Sequence, residues 1–341
     1  MNKRKIAALM LINLQLFATA TNTTTSTASG NDLSPEMKTY YSDYLIDNAE
    51  PELVHDQFGQ KHPIPKNGGK TIEFRKYSPL PKATTPLTEG VTPDGQPLNV
   101  STISATVSQY GGWIQLPDML LLTAIDNNMV QAVELLGSQA GRTLDTITRE
   151  VLNGGTSVQY GEGAITSRAQ LTKDHKLTVE CIQRAVRFLK TQHAKKINGS
   201  YVGIIHPDCE YDLTHDPDWK EMNKYTTPEL AWEGEIGKIA GVRFVETNEA
   251  KIWEKAGAQP AEGNKPDVYS TLILGANAYG VTEVTGGGLE TIVKQLGSAG
   301  SADPLNQRAS AGWKAVKTAE RLVEQYMVRI ETCSTFDSGA N

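Results

Sequence analysis

The sequence predicts an α+β protein. Segments with helical period and segments with strand alternation are both present. They follow one another without regular βα repetition, which disfavours a doubly wound sheet. The composition is that of a folded chain: 341 residues, 39% hydrophobic and 21% charged. That length suits about two domains and a sizeable core, so no disulfide or metal staple is required. The net charge of −6 argues against sequence-independent wrapping of nucleic acid. Cys181, Cys209 and Cys333 lie far apart and are odd in number, so they form no disulfide framework and no paired CxxC site.

The elements are justified in chain order. Lys3, Arg4 and Lys5 precede an apolar stretch from Ile6 to Phe17, then Ala18-Thr19-Ala20. This has the form of a secretory signal, although Asn13 and Gln15 interrupt it. The alternative is an arm whose apolar face docks on a neighbour. Thr21 to Asn31 is polar and of low complexity, and reads as a flexible linker. Ser34-Pro35 then starts a helix over about 35–49, with Met37, Tyr40, Tyr41, Tyr44 and Leu45 at helical spacing and Pro51 beyond its end.

Residues 71–77 alternate, with Ile72 and Phe74 on one face. Pro79, Pro81, Pro86, Pro93 and Pro97 follow, with a turn signal at Asp94-Gly95. A second alternating stretch runs from Leu98 to Tyr110. Two strands joined by a long, polar, Pro-rich excursion are expected. Their Thr- and Ser-rich composition offers too few apolar anchors for a private core. The tip is therefore either disordered or held by another chain.

From Leu121 to about Leu152 apolar residues recur three or four apart, from Ile125 to Val151. This predicts one long helix or two in series, ended by Asn153-Gly154-Gly155. Gly137 and Gly141 within it suggest close approach of another backbone. A second amphipathic helix is expected over 177–191. Short buried strands are expected at Tyr201–Ile205, Val242–Glu246 and Thr271–Leu274. Residues 289–296 could form a helix. Trp313 to Glu331 is ambiguous, with strand-like alternation in its final part.

Chemical motifs are weak. Lys66 to Thr71 (KNGGKT) resembles a phosphate loop, but Ile64 stands where the motif needs glycine and a strand follows. Gly286-Gly287-Gly288 lacks dinucleotide-fingerprint spacing. His206, Asp208 and Cys209 end a buried strand and could ligate a metal, but no partner histidine falls at zinc spacing. The plainer reading is strand termination, with Asp208 capping the next helix. Arg184, Arg187, Lys190, Lys195 and Lys196 cluster on or just after one helix, without the aromatic interleaving of a nucleic-acid surface.

Several stretches together carry a family likeness. They are residues 11–18 (LINLQLFA), 69–77 (GKTIEFRKY), 87–91 (LTEGV) with Pro93, 199–208 (GSYVGIIHPD), 241–248 (GVRFVETN), 303–308 (DPLNQR), 312–314 (GWK) and 327–331 (MVRIE). Over about residues 35–332, plus the opening stretch, the chain resembles tailed-phage major capsid proteins of the HK97-type fold, specifically the N4-like major capsid protein family. The resemblance implies an α+β capsid fold with a long spine helix, an extended β-hairpin loop and a central axial domain. Residues 1–60 would be an N-terminal arm and helix, 61–117 the extended loop, and 118–170 a peripheral domain with the spine helix. Residues 171–290 would be the axial domain and 291–341 a return to the peripheral domain.

The function implied is self-assembly into an icosahedral head enclosing phage double-stranded DNA, without catalytic turnover, cofactor or metal. Partners implied are further copies of the chain in hexamers and pentamers, DNA held without sequence specificity, and portal, scaffold and decoration proteins, with no membrane. Location would be the virion, and the host cytoplasm during assembly. Phe74, Arg75 and Lys76 are the candidate intersubunit contacts, Phe74 as a loop anchor and the two cations as ion-pair partners. The rival functions are a secreted surface-layer or adhesion protein, suggested by the signal-like start, and an enzyme using the His206 region.

Overall fold

A computed structural model of the chain describes residues 54–64, 70–77, 80–92, 94–124, 128–161, 164–223, 238–260, 263–284, 289–298 and 303–337. The signal-like start, the linker, the helix expected over 35–49, most of the KNGGKT stretch and Gly286-Gly287-Gly288 lie outside the described residues.

The first elements are β1 (Gln60–Ile64), β2 (Thr71–Tyr77), β3 (Val100–Thr106), β4 (Ser108–Pro117), α1 (Asp118–Thr123), α2 (Asn128–Asn153) and β5 (Val158–Tyr160). Next come α3 (Val179–Thr191), β6 (Tyr201–Ile205), α4 (Pro207–His215), α5 (Pro217–Asn223), β7 (Lys238–Ile239), β8 (Val242–Glu246) and β9 (Ile252–Trp253). The last are β10 (Val268–Leu274), β11 (Tyr279–Val284), β12 (Glu290–Lys294), β13 (Arg308–Arg321) and β14 (Met327–Thr332). Among the described residues no helix is long and apolar enough to cross a membrane.

The chain divides into two units. Of the described residues, one comprises those within Gly111–Gly137 and Thr291–Trp313; the other comprises those within 54–110, Ser138–Glu290 and 314–337. In the first, β13 pairs with β4 and β12. A Cβ on Gly312 would stand 3.0 Å from the Cβ of Trp113, so glycine permits that backbone approach. The Asp118 N–H donates to the Gln307 carbonyl at 2.9 Å, and Leu116, Leu120 and Leu136 are buried.

The second unit is built on a seven-stranded sheet ordered β5-β14-β10-β6-β8-β7, with β9 on β10. Strand alternation sorts its side chains onto two faces. Tyr201, Ile205, Tyr269, Ile273, Val328 and Ile330 join Ile182, Ala185, Val186 and Leu189 of α3 and Leu213 of α4 in one apolar cluster. Ile204, Leu272, Leu274 and Met327 face the other way, toward Leu152 at the end of α2 and Tyr279 of β11. Within this unit β1 lies parallel to β11, and β11 lies antiparallel to β13.

The two-in-series alternative holds for 121–152, as α1 and α2. Among the described residues nothing lies within 4 Å of the would-be Cβ of Gly141, so the close backbone approach expected there is not made among them. Residues 289–296 contain the strand β12, not a helix, consistent with the β-branched run Thr291-Ile292-Val293. The ambiguous stretch from Trp313 to Glu331 begins in the 14-residue strand β13 and ends in β14.

Candidate interaction surface

Strands β2 and β3 form a separate two-stranded sheet, in register from Thr71↔Thr106 to Tyr77↔Val100. A lone hairpin is marginal in water and needs something to pack on. Only Phe74 and Ala105 of the two strands are buried. Phe74 sits at the root of the hairpin. Its ring meets the His62 ring edge-on, with centroids 5.0 Å apart. A Cβ on Gly280 would lie 3.0 Å from the Phe74 ring, and Leu322 borders the same spot. Glycine at 280 thus makes the seat for the anchor. A cavity of about 390 Å³ opens beside it, with Arg75 and Lys76 on its wall. Arg75 is exposed and Lys76 half-buried, and neither has an ion pair among the described residues. The structure therefore places Phe74 against its own chain.

Beyond the root, apolar side chains face solvent. Tyr77, Leu80, Leu87, Val91, Leu98 and Val100 are all exposed, Leu87 to 76%. Scattered exposed leucines are ordinary, but a row of them along one extended segment marks an interaction site.

The seat of the hairpin is held by buried polar pairs. The Tyr279 hydroxyl donates to the His55 carbonyl. The His55 N–H donates to Asp145 Oδ1 at 2.8 Å, and its Nδ1 lies 2.6 Å from Asp145 Oδ2. Lys317, only 5% exposed, bonds Asp56 and donates to the Leu144 carbonyl at 2.8 Å. Burial pushes the Tyr279 phenol far above its ordinary pKa, so it stays a donor. Arg321 donates to the Val151 carbonyl at 2.6 Å and Arg329 to the Asn153 carbonyl, so two guanidinium groups meet the negative end of α2. Glu331, fully buried, accepts from Arg329 at 2.8 Å and from Arg168 at 2.7 and 2.8 Å. The Arg168 guanidinium stacks 3.6 Å over the Trp253 ring.

The His206 region has a structural explanation. His206, not Asp208, is the N-cap of α4: its Nδ1 accepts from the Asp208 N–H at 3.1 Å. Asp208 lies in the first turn and accepts from the Tyr269 hydroxyl at 2.7 Å, correcting the capping role expected for it. Burial lowers the His206 pKa, against the raising charges of Asp208 and Glu246. Burial drives the Cys209 thiol far upward and pushes Cys333 to about 12, so both remain neutral thiols. Among the described residues no group of three His, Cys, Asp or Glu could hold a metal ion.

The cations on α3 divide into two roles. Arg184 donates to the Tyr160 and Gly161 carbonyls at 2.8 and 2.9 Å, closing the end of β5. Arg187 and Lys190 are exposed. Lys196 lies over the Tyr201 ring at 5.9 Å. Sequence spacing exposed this stripe, whereas nothing in the sequence singled out the Glu331 and Lys317 pairs, whose partners are far apart in the chain.

This α+β architecture, with a projecting hairpin, resembles the HK97-type capsid fold. Residues 125–296 match the family described as phage capsid protein. The chain belongs to that family. Among solved structures, the capsid of Ralstonia phage GP4 is 15% identical with a TM-score of 0.67, over 93% of this chain and 100% of that one. The capsid of cyanophage Pam1 is 13% identical with a TM-score of 0.68, over 94% and 99%. The capsid of cyanophage P-SCSP1u is 12% identical with a TM-score of 0.63, over 94% and 100%. No curated protein sequence matches the chain.

Proposed function

We propose that this chain is a major capsid protein of the N4-like group. It self-assembles through hexamers and pentamers into the icosahedral head that encloses phage double-stranded DNA. The observation that carries this reading is the hairpin: rooted on its own chain through Phe74, it projects a row of exposed apolar side chains with nothing of their own to cover. Family membership and the shared fold support it.

In this reading residues 1–60 are an N-terminal arm and helix, 61–117 the extended loop laid on an adjacent subunit, and 118–170 the peripheral domain with α2 as spine helix. Residues 171–290 are the axial domain near local symmetry axes, and 291–341 return to the peripheral domain. Arg75 and Lys76 pair with carboxylates of a neighbour, while Phe74 fixes the loop that carries them. Each contact is small, but repetition over a closed shell sums many of them. The net acidic charge disfavours DNA adhering to the inner wall, so DNA is held without sequence readout. The protein performs no catalytic turnover. It resides in the virion after assembly in the host cytoplasm, with portal, scaffold and decoration proteins as further partners.

Expression of the full chain, followed by sedimentation and negative-stain microscopy, tests this. Closed shells or capsomer rings are expected. A chain that remains monomeric at high concentration under all assembly conditions contradicts the proposal.

A further inference from the structure

The tip of the hairpin and a groove on the second unit are complementary in charge and polarity. Between Lys82 and Asn99 the only ionisable side chains are Glu89 and Asp94, so the tip is acidic. Thr88 to Val91 form a turn: the Val91 N–H donates to the Thr88 carbonyl at 3.1 Å, and Gly90 has φ 78°. Positive φ at the third turn position is where glycine is favoured. The turn sets Glu89 at its apex between two exposed apolar residues, Leu87 and Val91.

The groove, of about 560 Å³, lies between α3 and β5. Val158, Phe188 and Val328 give it an apolar lining, and Arg184 and Arg187 give it positive charge. Arg184 is held by its two carbonyl bonds, yet its buried Nε has no hydrogen-bond partner among the described residues. Arg187 has no ion pair among the described residues. Among the described residues the strand β5 is the last in its sheet, bonded to β14 alone. An edge strand beside an apolar, cationic groove suits an extended, acidic, apolar segment.

We infer that this groove receives the Leu87–Val91 turn of a second copy of the chain, with Glu89 between Arg184 and Arg187 and the two apolar residues against Phe188 and Val328. The inference rests on the shell reading above and specifies where the loop lands. Thr88 lies eleven positions beyond Tyr77, a reach of at most about 36–40 Å when extended, enough to cross to an adjacent subunit. Turn and groove are different surfaces of one chain, so the contact is head-to-tail and can close a ring. The competing occupant of a cationic groove is the phosphate backbone of nucleic acid.

Hydrogen exchange on the full-length wild-type protein separates these possibilities, comparing free subunits, particles without DNA and DNA-filled particles. Peptides covering 87–91 and 156–160 should both slow at least about tenfold on assembly, with or without DNA. Protection of 156–160 only in DNA-filled particles assigns the groove to phosphate and overturns the inference. Particles in which both segments exchange as in free subunits overturn it while leaving the shell reading intact. Failure of the wild-type chain to form particles removes the shell reading and this inference together. A charge swap adds a pairwise test: Glu89→Arg and Arg187→Glu should each cut particle yield severalfold, and the double variant should recover it. Recovery absent in a double variant that keeps wild-type thermal stability rejects the Glu89–Arg187 pairing.

Discussion

Replacing Phe74 with alanine should detach the hairpin and leave the rest of the second unit folded. The ring is 7% exposed and is the hairpin's main apolar anchor, packed against His62 and Gly280 with Leu322 bordering the same spot. Removing a buried phenylalanine costs about 3–5 kcal/mol, and the cavity beside this one, open to water, favours the lower end. A loss of about 3 kcal/mol corresponds to roughly a hundredfold rise in the population of the detached hairpin, at about 1.4 kcal/mol per factor of ten. Local opening of this kind is read by hydrogen exchange. Amides of β2 and β3 should therefore exchange about a hundredfold faster, while those of β10 and β14 keep wild-type rates. The same change should abolish or sharply reduce particle formation. Gly280→Ala should act in the same direction, and its effect should not add to that of Phe74→Ala, because both remove one contact. A matching loss of protection across the seven-stranded sheet would refute the reasoning, as would unaltered exchange in β2 and β3.

Three further outcomes follow from the buried charges. Glu331→Gln should destabilise the free subunit by about 3–5 kcal/mol in urea, because it leaves Arg329 and Arg168 without their shared carboxylate; a loss below about 1 kcal/mol contradicts that role. Burial lowers the folded-state pKa of His206, so its stabilisation is present above the unfolded value near 6.5 and is lost as pH falls through the folded value. His206→Asn keeps a capping side chain and should flatten the acid limb of a Tm-versus-pH curve. Glu210 goes the other way: burial, then the charge of Glu246, pushes its carboxyl up to about 7, so its contribution is lost as pH rises from about 4.5 through 7. Glu210→Gln should raise Tm at pH 8 and leave it unchanged at pH 4; an equal shift at both values contradicts the pairing with Glu246.

Local patterns were legible in the sequence where one physical signal dominated. The period of 121–152, the Pro-rich excursion after Tyr77 and the buried run Tyr201–Ile205 all led to the right element type. The stretch over β13 was not legible, for two reasons. Alanines at 309, 311, 315 and 319 suit a helix as well as a strand, and Lys317 occupies an inward position that breaks the apolar alternation. Lys317 is tolerated there because Asp56, some 260 positions away, supplies its partner, and no local window reveals that pairing. Residues 289–296 were open to a helical reading until β13 supplied the strand partner for β12. At the candidate site, Phe74 was readable as an anchor from its alternation, but Gly280 as its seat was not, since a glycine's neighbours are set by the tertiary fold. His206 was noticed for its chemistry and turned out to be a helix cap, because Pro207 starts α4 two residues earlier than an Asp208 cap allows.

The central claim is that the 71–106 hairpin is completed by another copy of the chain. Cryo-electron microscopy of particles formed by the full-length protein tests it most directly. The account predicts Leu80, Leu87, Val91 and Leu98 covered by an adjacent subunit while Phe74 stays in its own. Particles in which those side chains touch only their own chain, or remain in solvent, would contradict it.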